Sequence, residues 1–534
     1  MQLYPTRATF HVALAGAAML AVGVAAREAA MCGFGGAMLL AVALGRALAH
    51  ATVARIRSSG FEMVWTTPRR VTRTARGGEF ILEAELRNRG VDDARAVNVR
   101  AVASSMLEVR VDPTAIELPA GSKVRIDLHV KTKRVGRWGV HGVALEVRGT
   151  PIGGEGLYEV PLLFANPHGV EVLPPRLLAH LQSPRGGRAR KRGLQGSAGN
   201  DRGESDEFRE LREHVPGDPF KRIAWKASAR RAKLLVREME REERDVVWLV
   251  VDASVELWAG AEGSAPLDRT VDEVGALAAH HLARGDLVGV AVVASRVRSW
   301  VDADEGAAQL GKIAAALASA ASMVDADRSE LDESEVALRV AEHARPLDPA
   351  GLSDVGRGDL DALASKADAL RSRAPFVPRP PHARSPREQR FRHYLAAFGI
   401  ELPPRAEGER DQTDVTLGAT LEKLASQKPT PSIVHLFAQA PVHGGAVERA
   451  IVRLRRRHAD LRWTLPDFEP SLLGALDRGM DPALAEAITG AVLTRIRAAR
   501  RRAERQLRRL GLHIRAVDPR SPGGHKGHAL KEPA

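Results

Sequence analysis

The chain has 534 residues, too many for one compact core, and at roughly 150 residues per domain it should divide into about three units. With 44% hydrophobic and 27% charged residues it has the composition of folded domains, and its single cysteine, Cys32, excludes an intrachain disulfide and a cysteine-based zinc cage. A formal net charge of +13 asks for an anionic neighbour, whether phospholipid, nucleic acid or an acidic protein, without choosing among them.

Residues 8–26 carry no charge, Arg27 and Glu28 interrupt, and residues 29–49 are apolar again apart from Arg46. As a helix each run is about 30 Å long, enough for a bilayer core, so residues 1–57 read as a two-helix membrane anchor. Gly16, Gly23, Gly33, Gly35 and Gly36 would let the two backbones approach closely. Arg7 precedes the first run, and Arg46, Arg55, Arg57, Arg69, Arg70, Arg73 and Arg76 follow from the second, which places both ends in the cytoplasm. A cleaved signal peptide is the rival reading, since a basic start and Ala-rich residues near Arg27 fit it too. The second apolar run directly behind the first weighs against it, and the bulky Met31 before Cys32 weighs against a lipoprotein anchor.

From Glu79 the apolar period changes to two. In KVRIDLHVK, Val124, Ile126, Leu128 and Val130 face one way and Arg125, Asp127 and His129 the other, an alternation that needs one buried face. Turn signals RNRG, PAGS and KRVGRWG separate such strands, so residues 60–175 read as a small antiparallel β-sandwich. His129 and His141 have no partner at metal-ligand spacing and are expected to face solvent. Residues 176–206 lack apolar periodicity and read as a flexible basic linker.

Residues 207–244 follow, opening EFRELREHVPGDPFKRIAWKASARRAKLLVRE. They are similar to the signature of the bacterial family called domain of unknown function 58 at Arg209, Arg212, Pro216, Gly217, Asp218, Arg222, Trp225, Lys226, Ser228, Arg230, Lys233 and Arg237. Ala224 departs from it, since the family usually has a polar or acidic residue before the Trp. The resemblance implies a two-helix anchor and a β-domain joined to a von Willebrand factor type A-like domain. Physically, Pro216-Gly217-Asp218-Pro219 makes a tight turn, and Trp225 is expected to bury while Lys226 and Arg230 stay in water. Ser228 has only basic neighbours in sequence, none able to take its proton, so anchoring or docking is favoured over catalysis.

DVVWLVVDAS, residues 245–254, is a near-continuous apolar run delivering Asp252 and Ser254 at its end, as a buried parallel strand would. Helix, strand pair and helix follow, so residues 245–324 and 412–518 read as an α/β, Rossmann-like von Willebrand factor type A-like domain. In such domains Asp-x-Ser-x-Ser, a distant Thr and a further Asp supply oxygens to Mg²⁺. Here the resemblance implies Asp252, Ser254, Glu256 and Thr413 as a degenerate set: Glu256 replaces the second Ser, and Ala438 stands where the last acidic residue is expected. Mg²⁺ is the one cofactor this points to, and a domain kept as a metal-free scaffold is the favoured alternative. His280 and His281, adjacent on a helix, point about 100° apart and read as surface residues. Residues 325–411, rich in Asp, Arg and Pro, read as an insertion, part helix and part extended and disordered. On the C-terminal helix Leu484, Ile488, Val492 and Ile496 recur at four-residue spacing, and residues 519–534 read as a disordered tail.

The chain contains no P-loop, G-x-S-x-G, H-E-x-x-H or dinucleotide fingerprint, which argues against an enzyme and a small-molecule substrate. Its Arg-rich helix lacks stacking aromatics, so nucleic acid is disfavoured, and an anionic bilayer accounts for the same charge. The expectation is a multi-pass adaptor of the bacterial inner membrane, cytoplasmic at both termini. The resemblance implies a MoxR-type AAA+ ATPase as partner, because genes of the family often adjoin genes of such ATPases. A basic nucleic-acid-binding protein, or a metal-dependent ligand-binding membrane protein, is the alternative.

Overall fold

The computed structural model describes residues 4–58, 61–91, 94–147, 158–182, 208–215, 220, 223–231, 233–239, 244–258, 260–356, 358–406, 408–442, 445–469 and 482–515. Two compact units emerge: Met1–Leu178, Trp258–Arg269 and Leu317–Glu409 form the first, and Ala179–Leu257, Thr270–Ala316 and Arg410–Ala534 the second.

The chain begins with β1 (Tyr4–Pro5), α1 (Arg7–Ala26) and α2 (Ala29–Ser58). Both helices are long and apolar enough to cross a membrane. Arg27 adopts a left-handed conformation that caps α1, and the Glu28 N–H donates to the Gly23 carbonyl, turning the chain within two residues. A Cβ on Gly35 would lie 2.6 Å from the Leu20 nitrogen, and one on Gly23 2.8 Å from that of Cys32, so these glycines set the helix contact. Gly33 and Gly36 face open space instead.

Next come β2 (Phe61–Trp65), β3 (Val71–Ala75), β4 (Glu79–Asn88), β5 (Ala94–Ala103), β6 (Leu107–Asp112), β7 (Glu117–Leu118), β8 (Lys123–Thr132), β9 (Gly136–Val147) and β10 (Tyr158–Leu173). They are followed by α3 (Pro175–Gln182), β11 (Phe208–Glu213), α4 (Trp225–Arg231), β12 (Leu235–Met239) and β13 (Val246–Asp252). Then come α5 (Pro266–Arg284), β14 (Leu287–Val293), β15 (Val297–Asp304), α6 (Gly306–Ala320), α7 (Glu333–Leu347), α8 (Leu360–Leu370) and α9 (Pro386–Phe398). The last elements are α10 (Arg410–Ser426), β16 (Ile433–Phe437), α11 (Gly445–Arg455), β17 (Asp460–Thr464), α12 (Pro482–Arg509) and β18 (His513–Arg515).

In the first unit, β2-β4-β8-β6 make an antiparallel sheet, and β1-β10-β9-β5-β7 make a second one to which β3 adds in parallel with β10. Leu82 opposes Leu128 and Ala84 opposes Ile126 across β4 and β8, all pointing into one core with Val140, Leu145 and Phe164 from the other sheet. The alternate positions Glu83, Arg125 and Asp127 pair on the wet face, as the period of two requires.

Residues 325–411, expected to be part helix and part extended and disordered, contain the helices α7, α8 and α9. Asp332 caps α7 in a reciprocal box with Glu335, Asp359 caps α8, and Ser385 caps α9. Val336, Val340, Leu363, Ala367, Phe391, Leu395 and Phe398 close a core of their own. Two arginines, Arg328 and Arg392, are buried in it. Arg392 donates to Glu388, to the Val324 carbonyl and to the Leu331 carbonyl, and Arg328 donates to the carbonyls of Ala320 and Ser322. Part of the expected linker likewise belongs to α3; residues 183–206 and the tail, 519–534, lie outside the described residues.

In the second unit the sheet order is β15-β14-β13-β16-β17-β18, parallel throughout except for the antiparallel edge strand β15. Every residue of β13 is buried, which is why its sequence is continuously apolar rather than alternating. Trp248, Leu417, Leu421, Leu436, Ile451, Trp463 and Leu507 form the core beneath α10, α11 and the end of α12. On α12 the Leu484 side chain lies outside the described residues, and Ile488, Val492 and Ile496 remain half-exposed.

Candidate functional site

The segment between residues 207 and 244 folds as an antiparallel hairpin, β11 with β12, carrying α4. Ile223 bridges Val236, and the Ala224 N–H donates to the Leu235 carbonyl at 2.8 Å, so this dipeptide takes the buried position. The Leu235 N–H donates in turn to Ser228 Oγ at 2.8 Å. Ser228 is thus a buried fastener of α4 on β12. Trp225, expected to bury, is 61% exposed: Ile223 and Ala224 already fill the interior, and the helix starting at Trp225 turns its ring outward. Phe220 is 75% exposed, and Val215 and Leu234 are exposed as well. Lys226, Arg230, Arg231 and Lys233 stand in solvent around them. Lys233 donates to Glu213 at 2.7 Å, a bond that raises the lysine pKa and lowers that of the carboxylate. Arg209 and Arg212 lie on β11 and Arg237 on β12, with side chains outside the described residues; Pro216, Gly217, Asp218 and Arg222 lie outside them altogether.

At the carboxyl edge of the parallel strands, Asp252 is fully buried and its Oδ1 accepts from the Ser254 N–H at 2.9 Å. Thr413 is buried on the first turn of α10, and Glu256 is half-buried on a short 3-10 turn, Val255–Trp258. Sequence reasoning missed Arg410, which ties Asp252 to the start of α10. Its Nη1 donates to Asp252 Oδ2 at 3.0 Å, and its Nη2 to the carbonyls of Gln439 and Ala440 at 2.9 and 3.1 Å. The same Nη2 lies 2.9 Å from Asp414 Oδ1. The only signal for it in the sequence is the i, i+4 spacing of Arg410 and Asp414 around Thr413, next to the missing acid at 438. Ala438 is buried, and its carbonyl accepts from Trp463 Nε1. Among the described residues no group of three or more His, Cys, Asp or Glu side chains is placed to hold a metal ion.

Two histidines expected at the surface are buried. His281 bonds Asp286 at 2.7 Å, while His280 beside it is exposed. His141 contacts His343, Nδ1 to Nε2 at 3.2 Å, and His343 Nδ1 reaches the Tyr394 hydroxyl at 2.7 Å. Burial lowers the His141 pKa to about 4, and burial together with His141 lowers that of His343 well below its ordinary value. His141 is buried because α7 and α9 cover its strand. His129 is exposed, as expected.

The model of the family described as "Protein of unknown function DUF58" matches residues 210–348, which span the hairpin, β13 to β15 and α7. No curated protein matches the chain. Among solved structures, the secreted serine protease VesC from Vibrio cholerae is 11% identical over 24% of this chain and 27% of its own, with a TM-score of 0.17. Escherichia coli alpha-2-macroglobulin activated by porcine elastase is 12% identical over 68% of this chain and 34% of its own, with a TM-score of 0.16. At such TM-scores neither likeness carries an argument about fold or function.

Proposed function

We propose, from the match of residues 210–348 to the DUF58 family, that this chain is a membrane-anchored adaptor without catalytic activity of its own. On this reading α1 and α2 insert as a hairpin in the bacterial inner membrane with both termini cytoplasmic, and the two sheets of the first unit form a β-sandwich. The second unit is a von Willebrand factor type A-like domain, and the hairpin at its start docks a MoxR-type AAA+ ATPase. One observation carries the docking role: Trp225 and Phe220 are exposed inside the stretch that defines the family, where anchoring alone would have buried them. Large exposed aromatics are the residues that carry interface energy, and their exposure leaves that area free to be covered by a partner. Ser228, the one nucleophile type in the segment, is committed to the backbone of β12, which supports a surface role over chemistry.

The test is photo-cross-linking from position 229, exposed on the same helix as Trp225, in native membranes, followed by identification of the captured neighbours. Recovery of an AAA+ ATPase, lost in Trp225→Ala, is the expected result. Loss of a central Trp contact costs about 2 kcal/mol, roughly a thirtyfold weaker complex. Failure to recover a common partner, or undiminished capture from a neighbouring position in the Trp225→Ala chain, would refute the proposal.

A further inference from the structure

We propose that Arg410 is the resident cation of the Asp252 site, standing where the expected Mg²⁺ would sit, so that this sheet edge is metal-independent. The inference does not rest on the adaptor reading. The oxygen set gathered here suits a hard cation: one carboxylate oxygen each from Asp252 and Asp414, the carbonyls of Gln439 and Ala440, and the hydroxyl of Ser254, buried and without a hydrogen-bond partner. The guanidinium already meets four of these oxygens at 2.9–3.1 Å. Its planar fork directs one arm at Asp252 and the other at the two carbonyls, with Asp414 in ion-pair contact, a division of donors that a flexible ammonium would not hold.

The remaining carboxylate oxygens are committed too. Asp252 Oδ1 accepts from the Ser254 N–H, and Asp414 Oδ2 accepts from the Val442 N–H at 2.7 Å. A divalent ion would therefore have to expel a half-buried cation from the fully buried Asp252 and then bind with one fewer acid, because Ala438 contributes no carboxylate. Two features of this edge belong together: an acidic side chain is absent at 438, and a cationic one enters from 410. The residues present do not fit Mg²⁺ while Arg410 stays in place.

The test compares Mn²⁺ binding, followed by loss of the free-ion EPR signal, in the full-length detergent-solubilised chain and its variants. The wild type should titrate identically to Asp252→Asn, showing no site that depends on Asp252. Arg410→Ala should gain one saturable site, tightening Mn²⁺ binding at least about tenfold, and adding Asp414→Asn should abolish it. Arg410→Lys, which keeps a charge, should fold and remain without the site. A wild-type Mn²⁺ site that disappears in Asp252→Asn would overturn the proposal, as would a folded Arg410→Ala chain that gains none. Should Arg410→Ala fail to fold, the wild type, Asp252→Asn and Arg410→Lys still decide: Mn²⁺ bound in the lysine variant, or bound through Asp252 in the wild type, sinks the idea.

Discussion

Lowering the pH from 7 to 5 should loosen the first unit around β9. His141 is 4% exposed, and burial holds its pKa near 4 against an ordinary 6.5. The unfolded chain binds a proton at this ring below about pH 6.5, whereas the folded chain does so only near 4. Stability is therefore complete above the upper value and falls as pH drops through the interval. Each unit inside the window costs about 1.4 kcal/mol, so at pH 5 His141 alone removes about 2 kcal/mol. His168, buried against Thr72 Oγ1 and likewise held near 4, removes a similar amount. His343 adds to the loss in the same direction. Asp268 and Glu401, whose carboxyls burial pushes up, work the other way: they gain stability as pH falls through their raised values and offset part of the loss at its acid end. Hydrogen-exchange mass spectrometry of the full chain, corrected for intrinsic rates, reads this locally in peptides from β9, β10 and α7. His141→Gln, which leaves His343 a hydrogen-bonding neighbour but does not titrate, should remove about 2 kcal/mol of the pH dependence and leave the His168 share. Equal protection at both pH values, or an unchanged slope in His141→Gln, would refute the reasoning.

Arg134→Met should cost the first unit about 3–5 kcal/mol, since it strands Asp268, paired at 2.8 Å with both side chains 3% exposed. Adding Asp268→Asn should recover part of that loss in a chemical-denaturation series. Gly35→Leu should separate α1 from α2, while Gly33→Leu, which points into open space, should not; cysteine cross-linking between the two helices distinguishes them. Ser228→Ala should weaken hairpin protection by about 1 kcal/mol, leaving capture from position 229 unchanged in the folded chain.

What was legible in the sequence was what periodicity encodes. The alternation of Ile126, Leu128 and Val130 and the unbroken apolar run of β13 each announced how many faces would be covered, and the structure buries them accordingly. The glycines of the apolar hairpin were visible, but which of them meet depends on helix rotation, so Gly35 and Gly33 look alike until packed. In residues 325–411 composition gives no sign of where Arg328 and Arg392 lie, since they satisfy their donors on buried carbonyls. His141 reads as exposed because its cover, α7 and α9, comes from far along the chain. At the sheet edge Asp252 and Ser254 were readable from their strand-end position, and Thr413 only through the family resemblance. Arg410 was not, because a long side chain acts far from its own Cα and leaves no periodic trace.

The order of strands has a consequence for synthesis. β13 finds β14 soon after translation, but its other flank waits for β16, and the Val246–Ser432 contact beside it closes over 186 residues. At typical elongation rates that delay is roughly 10–40 s, during which one open side of a Val-rich strand is available to other nascent chains. Ribosome-stalled lengths ending before Ile433 should therefore be the aggregation-prone ones, and release past Thr464 should relieve it.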